Sequence, residues 1–359
     1  ITGGGQAGLR KLYRIIINFA GVYYYLSQPI VMLLVLVFTV TIIGGFFFIG
    51  TIPVYIVLVI GFVGLATIYY MVKSFFVRPK IEDPGRVLSE DEAPGLWVLV
   101  RDVAKTLETR PVDEIRITTG SEVAVYERGG LIAKMQDKAE RILIIGTATL
   151  NGFSQNAFRA VLAHEYGHFS NRDTAGGDVA FRVNADIMNL AMAMGQSGTA
   201  TFYNVGFQFL RFYHFLFRRI THGASRLQEI LADRVAVYQY GAEDFRQGLS
   251  HVILRELEFN HVAEKEINAA FAANRAMQNL YNLTIDDESI KKDLKQKFDE
   301  YISRQTTEDD THPSPQDRFK LIEQIKSKGN EPITGEVWDL FKDKESLTTE
   351  MNRKVEDRI

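Results

Sequence analysis

Two His stand four residues apart, with a Glu directly after the first, in His164-Glu165-Tyr166-Gly167-His168. On an α-helix, residues i and i+4 project from one face, one turn apart. Two imidazoles so placed can each give one nitrogen to a single Zn2+ ion. Glu165 lies about 100° further round the helix. Its carboxylate then stands beside the metal's open position, where a general base for an attacking water belongs. On a solvated surface helix the same residues would do nothing, so the rest of the chain has to decide.

A second carboxylate-bearing helix is expected over Ala224–Tyr240, ASRLQEILADRVAVYQY. Glu229 and Asp233 are four apart on one face of it. A catalytic zinc wants three protein ligands and one open position, and Glu229 can supply the third. Asp233 can accept a hydrogen bond from the free ring N–H of a ligand His and so fix its tautomer. The plainer reading is a surface pair, but these two sit among Leu227, Ile230, Leu231 and Ala232. A third patch is Thr311-His312-Pro313-Ser314-Pro315, followed by Arg318. Its two Pro make a rigid loop, and a His held there can donate to a developing oxyanion. His214, His222, His251 and His261 have no partner at ligand spacing and read as structural or solvated. Asp173, after Asn171 and Arg172, is a weak further candidate to orient a ligand His.

The elements that must position these groups follow from pattern. Ala157, Phe158, Val161 and Leu162 recur at helical spacing, and Ser154 sits where an N-cap belongs. Upstream, EIRIT (Glu114 to Thr118), EVAVY (Glu122 to Tyr126) and RILII (Arg141 to Ile145) are short β-branched runs. They predict a small sheet just before the His helix. An edge strand of it could hold an extended peptide by strand addition. A helix is expected over Leu96–Leu107, and mostly polar helix from Glu243 onward.

The N-terminal part has a different character. Ile1–Gly8 is Gly-rich and reads as mobile. Leu9–Gln28 mixes Arg10, Lys11 and Arg14 with apolar residues and Tyr23, Tyr24 and Tyr25, the pattern of an interfacial helix. Ile30–Gly50 carries no charge. As a helix it is about 31 Å long, enough for a hydrocarbon core of about 30 Å. After Thr51, Ile52 and Pro53, a second apolar run covers Val54–Val72. The two runs predict a hairpin that crosses a bilayer twice. Basic residues flank both ends: Arg10, Lys11 and Arg14 before it, and Lys73, Arg78 and Lys80 after it. By the positive-inside rule both flanks, and the catalytic domain after them, are cytoplasmic. Between the His helix and Glu229, the stretch 185–220 is aromatic and only partly polar, and reads equally as membrane-associated or as packed on the soluble core.

Composition excludes several classes. The chain has no Cys, so thiol catalysis, disulfides and Cys-ligated zinc are ruled out. A net charge of −3 gives no electrostatic case for nucleic acid. No phosphate loop, nucleotide fingerprint or internal repeat is evident.

HEYGH on a helix, QEILAD some sixty residues later and THPSPQDR near the end together resemble the membrane-linked gluzincin metallopeptidases. That family includes HtpX-like quality-control proteases and the CAAX prenyl proteases. The resemblance implies that His164, His168 and Glu229 bind one Zn2+ per chain and that Glu165 is the base. It implies that Asp233 supports the ligands, and that His312 and Arg318 help form the site. The implied fold is α+β, mainly α: a transmembrane helical hairpin, then a zincin-type domain with a small sheet. The expected division is 1–29 interfacial, 30–77 hairpin, 78–94 linker, 95–330 metallopeptidase domain and 331–359 helical tail. The implied partners are the bilayer and a polypeptide, unfolded or part of a membrane protein. HtpX-like members have two clear spans between the His pair and the Glu, where this chain is only partly apolar. The CAAX enzymes need still more spans, which makes prenyl-peptide cleavage the second reading. A membrane scaffold with a structural metal site is the alternative of another class. A structural zinc site would be closed by four ligands, and three are evident.

Overall fold

The computed structural model describes residues 4–74, 83–129, 133, 136, 138–170, 173–202 and 204–359. The chain forms two compact units: residues 1–81 with 175–225, and residues 82–174 with 226–359.

The first unit is helical. Helix α1 runs from Gly4 to Ile49 and α2 from Val54 to Ser74. Sequence pattern divides the first stretch into a mobile start, an interfacial helix and a span; it is instead one helix, about 69 Å long at the usual rise. Pro29 lies inside it and does not break it. Proline removes one N–H and crowds one carbonyl, and here the apolar packing on either side outweighs that loss. Both α1 (over Ile15–Ile49) and α2 are long and apolar enough to cross a membrane. Only 11% and 17% of those windows are buried, which is not how a soluble core helix behaves. This exposure suggests membrane association. Helix α5, Asp173–Gln196, and the first part of α6, Val205–Tyr240, complete the unit. Val31, Val35 and Met71 pack with Ile187, Leu190 and Phe217. Tyr25 donates to Asp186 Oδ2 at 2.6 Å. The stretch 185–220 thus packs on the hairpin unit. Arg78, Lys80, Asn171 and Arg172 lie outside the described residues.

The second unit carries the sheet: β1 Arg86–Val87, β2 Glu114–Thr118, β3 Val123–Arg128 and β4 Glu140–Gly146. Their spatial order is β1-β2-β4-β3. β2 and β4 are parallel, while β3 returns antiparallel on the outside of β4. Three of these strands lie close to the predicted positions; the two-residue β1 is too short to leave a pattern. Ile115, Ile117, Leu143 and Ile145 are fully buried, so the face of the sheet that they share is a core layer.

Helices α3, Pro94–Thr106, α4, Gln155–Ser170, and α7, Ala242–Ala273, pack into the same core as the sheet. Part of the stretch read as linker belongs to this unit too, with Leu88 and Ala93 completely buried. So does the C-terminal segment. A 3-10 turn at Val337–Leu340 and helix α10, Lys344–Glu356, bury Val337, Trp338, Leu347 and Met351 in that core. Between α7 and α10 lie α8, Glu288–Ser303, and the short α9, Pro315–Ile322.

Candidate metal centre

Helix α4 starts as its sequence dictates. The Ser154 side chain accepts from the Ala157 N–H at 3.3 Å, and its carbonyl takes the Phe158 N–H at 3.0 Å. Phe158, Leu162, Ala163 and Tyr166 face the core. Tyr166 is pinned at both ends: its hydroxyl accepts from Val112 N and donates to Val100 O. The face left over carries His164, Glu165 and His168.

Glycine fixes what lies opposite. A Cβ on Gly167 would stand 3.0 Å from Ala232 Cα, so α4 and α6 touch backbone to backbone there. That contact brings Glu229 and Asp233, one turn apart on α6, against the His pair. His164 Nε2 lies 3.3 Å from His168 Nε2 and 3.3 Å from Glu229 Oε2. His168 Nε2 lies 3.5 Å from Glu229 Oε1. A tetrahedral zinc with ligand bonds of about 2.0–2.1 Å has edges of about 3.3 Å between its ligand atoms. The two imidazole nitrogens stand at that separation, each lies as close to one oxygen of the Glu229 carboxylate, and one donor atom from each residue lies within 4.8 Å of the others, so the residues present fit the metal. Among the described residues they are the one His/Asp/Glu group close enough to share an ion.

Two carboxylates and an Arg set the electrostatics. His164 Nδ1 lies 2.9 Å from Asp233 Oδ1. Arg318 donates from Nε to Asp233 Oδ2 at 2.9 Å and from Nη2 to Oδ1 at 2.6 Å. Its Nη1 is 3.6 Å from Glu229 Oε2. Arg318 reaches this point because α9 is well started: Ser314 caps it by accepting from Asp317 N, and Pro315 opens its first turn. In the metal-free protein, burial disfavours a charged His164, but Asp233 and Glu229 outweigh it and push the imidazole up to about 10. His168 goes the other way, down to about 4, through burial and the charge on His164. Burial opposes ionisation of Glu229 and Asp233, yet the His and Arg318 charges hold both below the usual carboxylate range. Glu229 and Asp233 are thus balanced by Arg318 and, in the metal-free protein, by a protonated His164.

Glu165 points into the same cavity, of about 310 Å3. Burial pushes its carboxyl up to about 7, offset in part by His164, Arg318 and the Val125 backbone N–H. That last contact identifies the strand beside the site. Glu122 O accepts from Gly146 N, which sets the alternation along the β3–β4 ladder. The backbone groups of Val123 and Val125 then point away from β4, on the outer edge of the sheet and towards the cavity they line.

Residues 116–326, more than half of the chain, match the family model described as Peptidase family M48. The chain belongs to peptidase family M48. M48 peptidases are zinc-dependent metallopeptidases, so this M48 chain is a hydrolase of polypeptides. No curated protein and no solved structure gives a significant match. The matched stretch contains all three motifs that carry the resemblance, HEYGH, QEILAD and THPSPQDR.

The remaining candidates fall as follows. His312 is exposed, with Nε2 3.4 Å from Glu229 Oε1 and Nδ1 2.9 Å from Thr311 Oγ1. His251 is held by Thr149 O and stacks on Phe153, away from the cluster. His214 lies 3.1 Å from Asn184 Oδ1 in the first unit. Asp173 opens α5. Sequence reasoning missed Phe245, whose ring lies 5.8 Å from the His164 ring and 5.4 Å beneath the Arg318 guanidinium. No ligand spacing marks it; its signal is the apolar period Phe245, Leu249, Val252 on α7.

Proposed function

We propose that this chain is a membrane-anchored zinc endopeptidase, with His164, His168 and Glu229 as the protein ligands and Glu165 as the general base. The observation that carries this is the cluster of donor atoms: the two Nε2 atoms lie 3.3 Å apart, and each lies 3.3 or 3.5 Å from one oxygen of the Glu229 carboxylate. Zinc, when bound, supplies Lewis acidity that activates a water and polarises the scissile carbonyl. Glu165, which lines the same cavity, accepts the water's proton at its carboxylate and passes it to the leaving amine. Asp233 orients His164, and Arg318 holds Asp233 and balances the charge of Glu229. His312 stands at the rim, where its ring N–H can donate to the carbonyl oxygen as negative charge develops. The outer edge of β3 aligns an extended peptide by backbone hydrogen bonds, which reads little of its sequence.

The expected substrates are misfolded membrane proteins or extended segments of them, which rests on the HtpX-like resemblance. The basic flanks Arg10, Lys11, Arg14, Lys73, Arg78 and Lys80 support two crossings with the catalytic unit in the cytoplasm. A reporter fused after Lys80 should be active inside the cell; activity only outside would reverse the topology. Substrate class is tested with purified, detergent-solubilised, zinc-loaded protein offered an unfolded protein and a prenylated CAAX peptide. Cutting of the unfolded protein supports quality control. Selective cutting of the prenylated peptide replaces it with the CAAX reading.

A further inference from the structure

The cavity has two chemically different halves. One holds the ionisable groups already described. The other is formed by Val161 of α4 and by Phe245, Leu249 and Val252 of α7. These three α7 residues fall at i, i+4 and i+7, on one face of the helix. Gly248 is on that face as well. A Cβ there would stand 2.6 Å from Val161 Cγ2 and 2.7 Å from Ala157 O, so α7 lies backbone-close on α4 at this point. The apolar wall is therefore fixed directly beside His164. Phe245 is buried and forms its floor. Leu249 and Val252 are half-buried: they pack on the core and keep surface towards the cavity.

We propose that this wall is a selectivity pocket that takes an apolar side chain immediately flanking the scissile bond. The proposal rests on the peptidase reading above and adds what that reading lacks. Strand β3 recognises only backbone, and the ionisable half of the cavity acts on the peptide bond. Side-chain choice then falls to the wall, which offers no charged or hydrogen-bonding partner. A Leu-, Ile-, Met- or Phe-sized group gains burial there, and a charged one loses its hydration with nothing in return. Leu249 and Val252 set the depth, because they are the wall residues that still have surface to give.

Two readouts test this on the full-length, detergent-solubilised, zinc-loaded protein. First, a mixed peptide library is digested and the cut sites are read by mass spectrometry. The wild type should show apolar enrichment at one flanking position. Leu249→Phe, which fills the pocket, should move the choice towards Ala and Gly, changing the Leu-to-Ala ratio of kcat/KM by about tenfold or more. Leu249→Ala should admit larger aromatics. Second, peptide hydroxamates carrying Leu, Ala or Asp next to the zinc-binding group are ranked by thermal stabilisation, which needs no turnover. Leu should rank first with wild type and lose that rank with Leu249→Phe. Hydroxamate ranking as expected, with no peptide cut, would uphold the pocket and count against the catalytic reading alone. Cutting with no flanking preference, or a Leu249→Phe protein whose ratios and hydroxamate ranking are unchanged, would overturn the pocket.

Discussion

Asp233 and His164 meet at 2.9 Å, and the same carboxylate accepts from both Nε and Nη2 of Arg318. The ligand His is thus positioned through a carboxylate that is itself held rigid from α9. Asp233→Asn keeps the shape but loses the charge that favours a metallated imidazole. It should weaken zinc affinity by about 10- to 100-fold, as removal of such supporting groups does. Chelator competition at fixed pH measures this. Unchanged affinity would mean that Asp233 serves the fold alone.

Arg318→Met removes the counter-charge from two buried carboxylates. Breaking one side of a buried pair costs about 3–5 kcal/mol. The variant should unfold at clearly lower temperature, and added zinc should recover part of the loss by binding the folded state. Equal melting of variant and wild type would contradict the geometry given for Asp233 and Glu229.

Gly167 carries a prediction that chemistry alone would not make. Its missing side chain lets α4 touch α6, with Ala232 Cα 3.0 Å from where a Cβ would be. Gly167→Val has to push the helices apart. Overpacking of this kind costs about 1–3 kcal/mol, and the same displacement moves Glu229 from the His pair. Both melting temperature and zinc affinity should fall. Tyr166→Phe is the contrast: it strands the Val112 N–H and should lower stability by about 1–3 kcal/mol, while a folded sample keeps its zinc affinity.

Acid sensitivity should come partly from a site far from the metal. Arg86 is shared by Glu92 and Glu350, at 2.7 and 2.6 Å. The Arg86 hydrogen bond is the main cause that holds Glu92 down at about 2. Glu350 is also lowered: Arg86 and Lys354 outweigh its burial. With folded pKa values below the unfolded ones, the unfolded state binds more protons as pH falls. The stabilisation is full above the normal carboxylate pKa, about 4.5, and fades towards pH 2. Glu92 is 41% exposed, so solvent keeps the effect small. Denaturant midpoints between pH 6 and 3 should fall less steeply in Glu92→Gln than in wild type; parallel curves would refute this role.

The site was more legible than its surroundings. His164, Glu165 and His168 share one short helix, and Glu229 and Asp233 share one turn, so local spacing carries both groups. The α1–α2 hairpin was legible because charge-free runs of membrane length are rare in soluble cores. The Arg318–Asp233 fork was not, since nothing in a Pro-rich loop announces a partner 85 residues away. Helix α1 is one continuous element, which the change near residue 29 from a basic, Tyr-bearing stretch to a charge-free one hides. The C-terminal segment looked like a polar tail; its buried residues, Trp338, Leu347 and Met351, are too sparse to stand out. The wall of α7 was hidden in the same way, its period diluted by the charges on the helix's other faces.

The central claim is that His164, His168 and Glu229 hold the metal while Glu165, between the two His on α4, moves the proton. Glu165→Gln separates the two roles, with zinc content by elemental analysis and cleavage of an unfolded protein measured on the same sample. The account predicts one zinc per chain in both proteins, and cleavage by wild type that drops at least a hundredfold in the variant, roughly the scale of a lost general base. Cleavage that survives Glu165→Gln with zinc in place would contradict it.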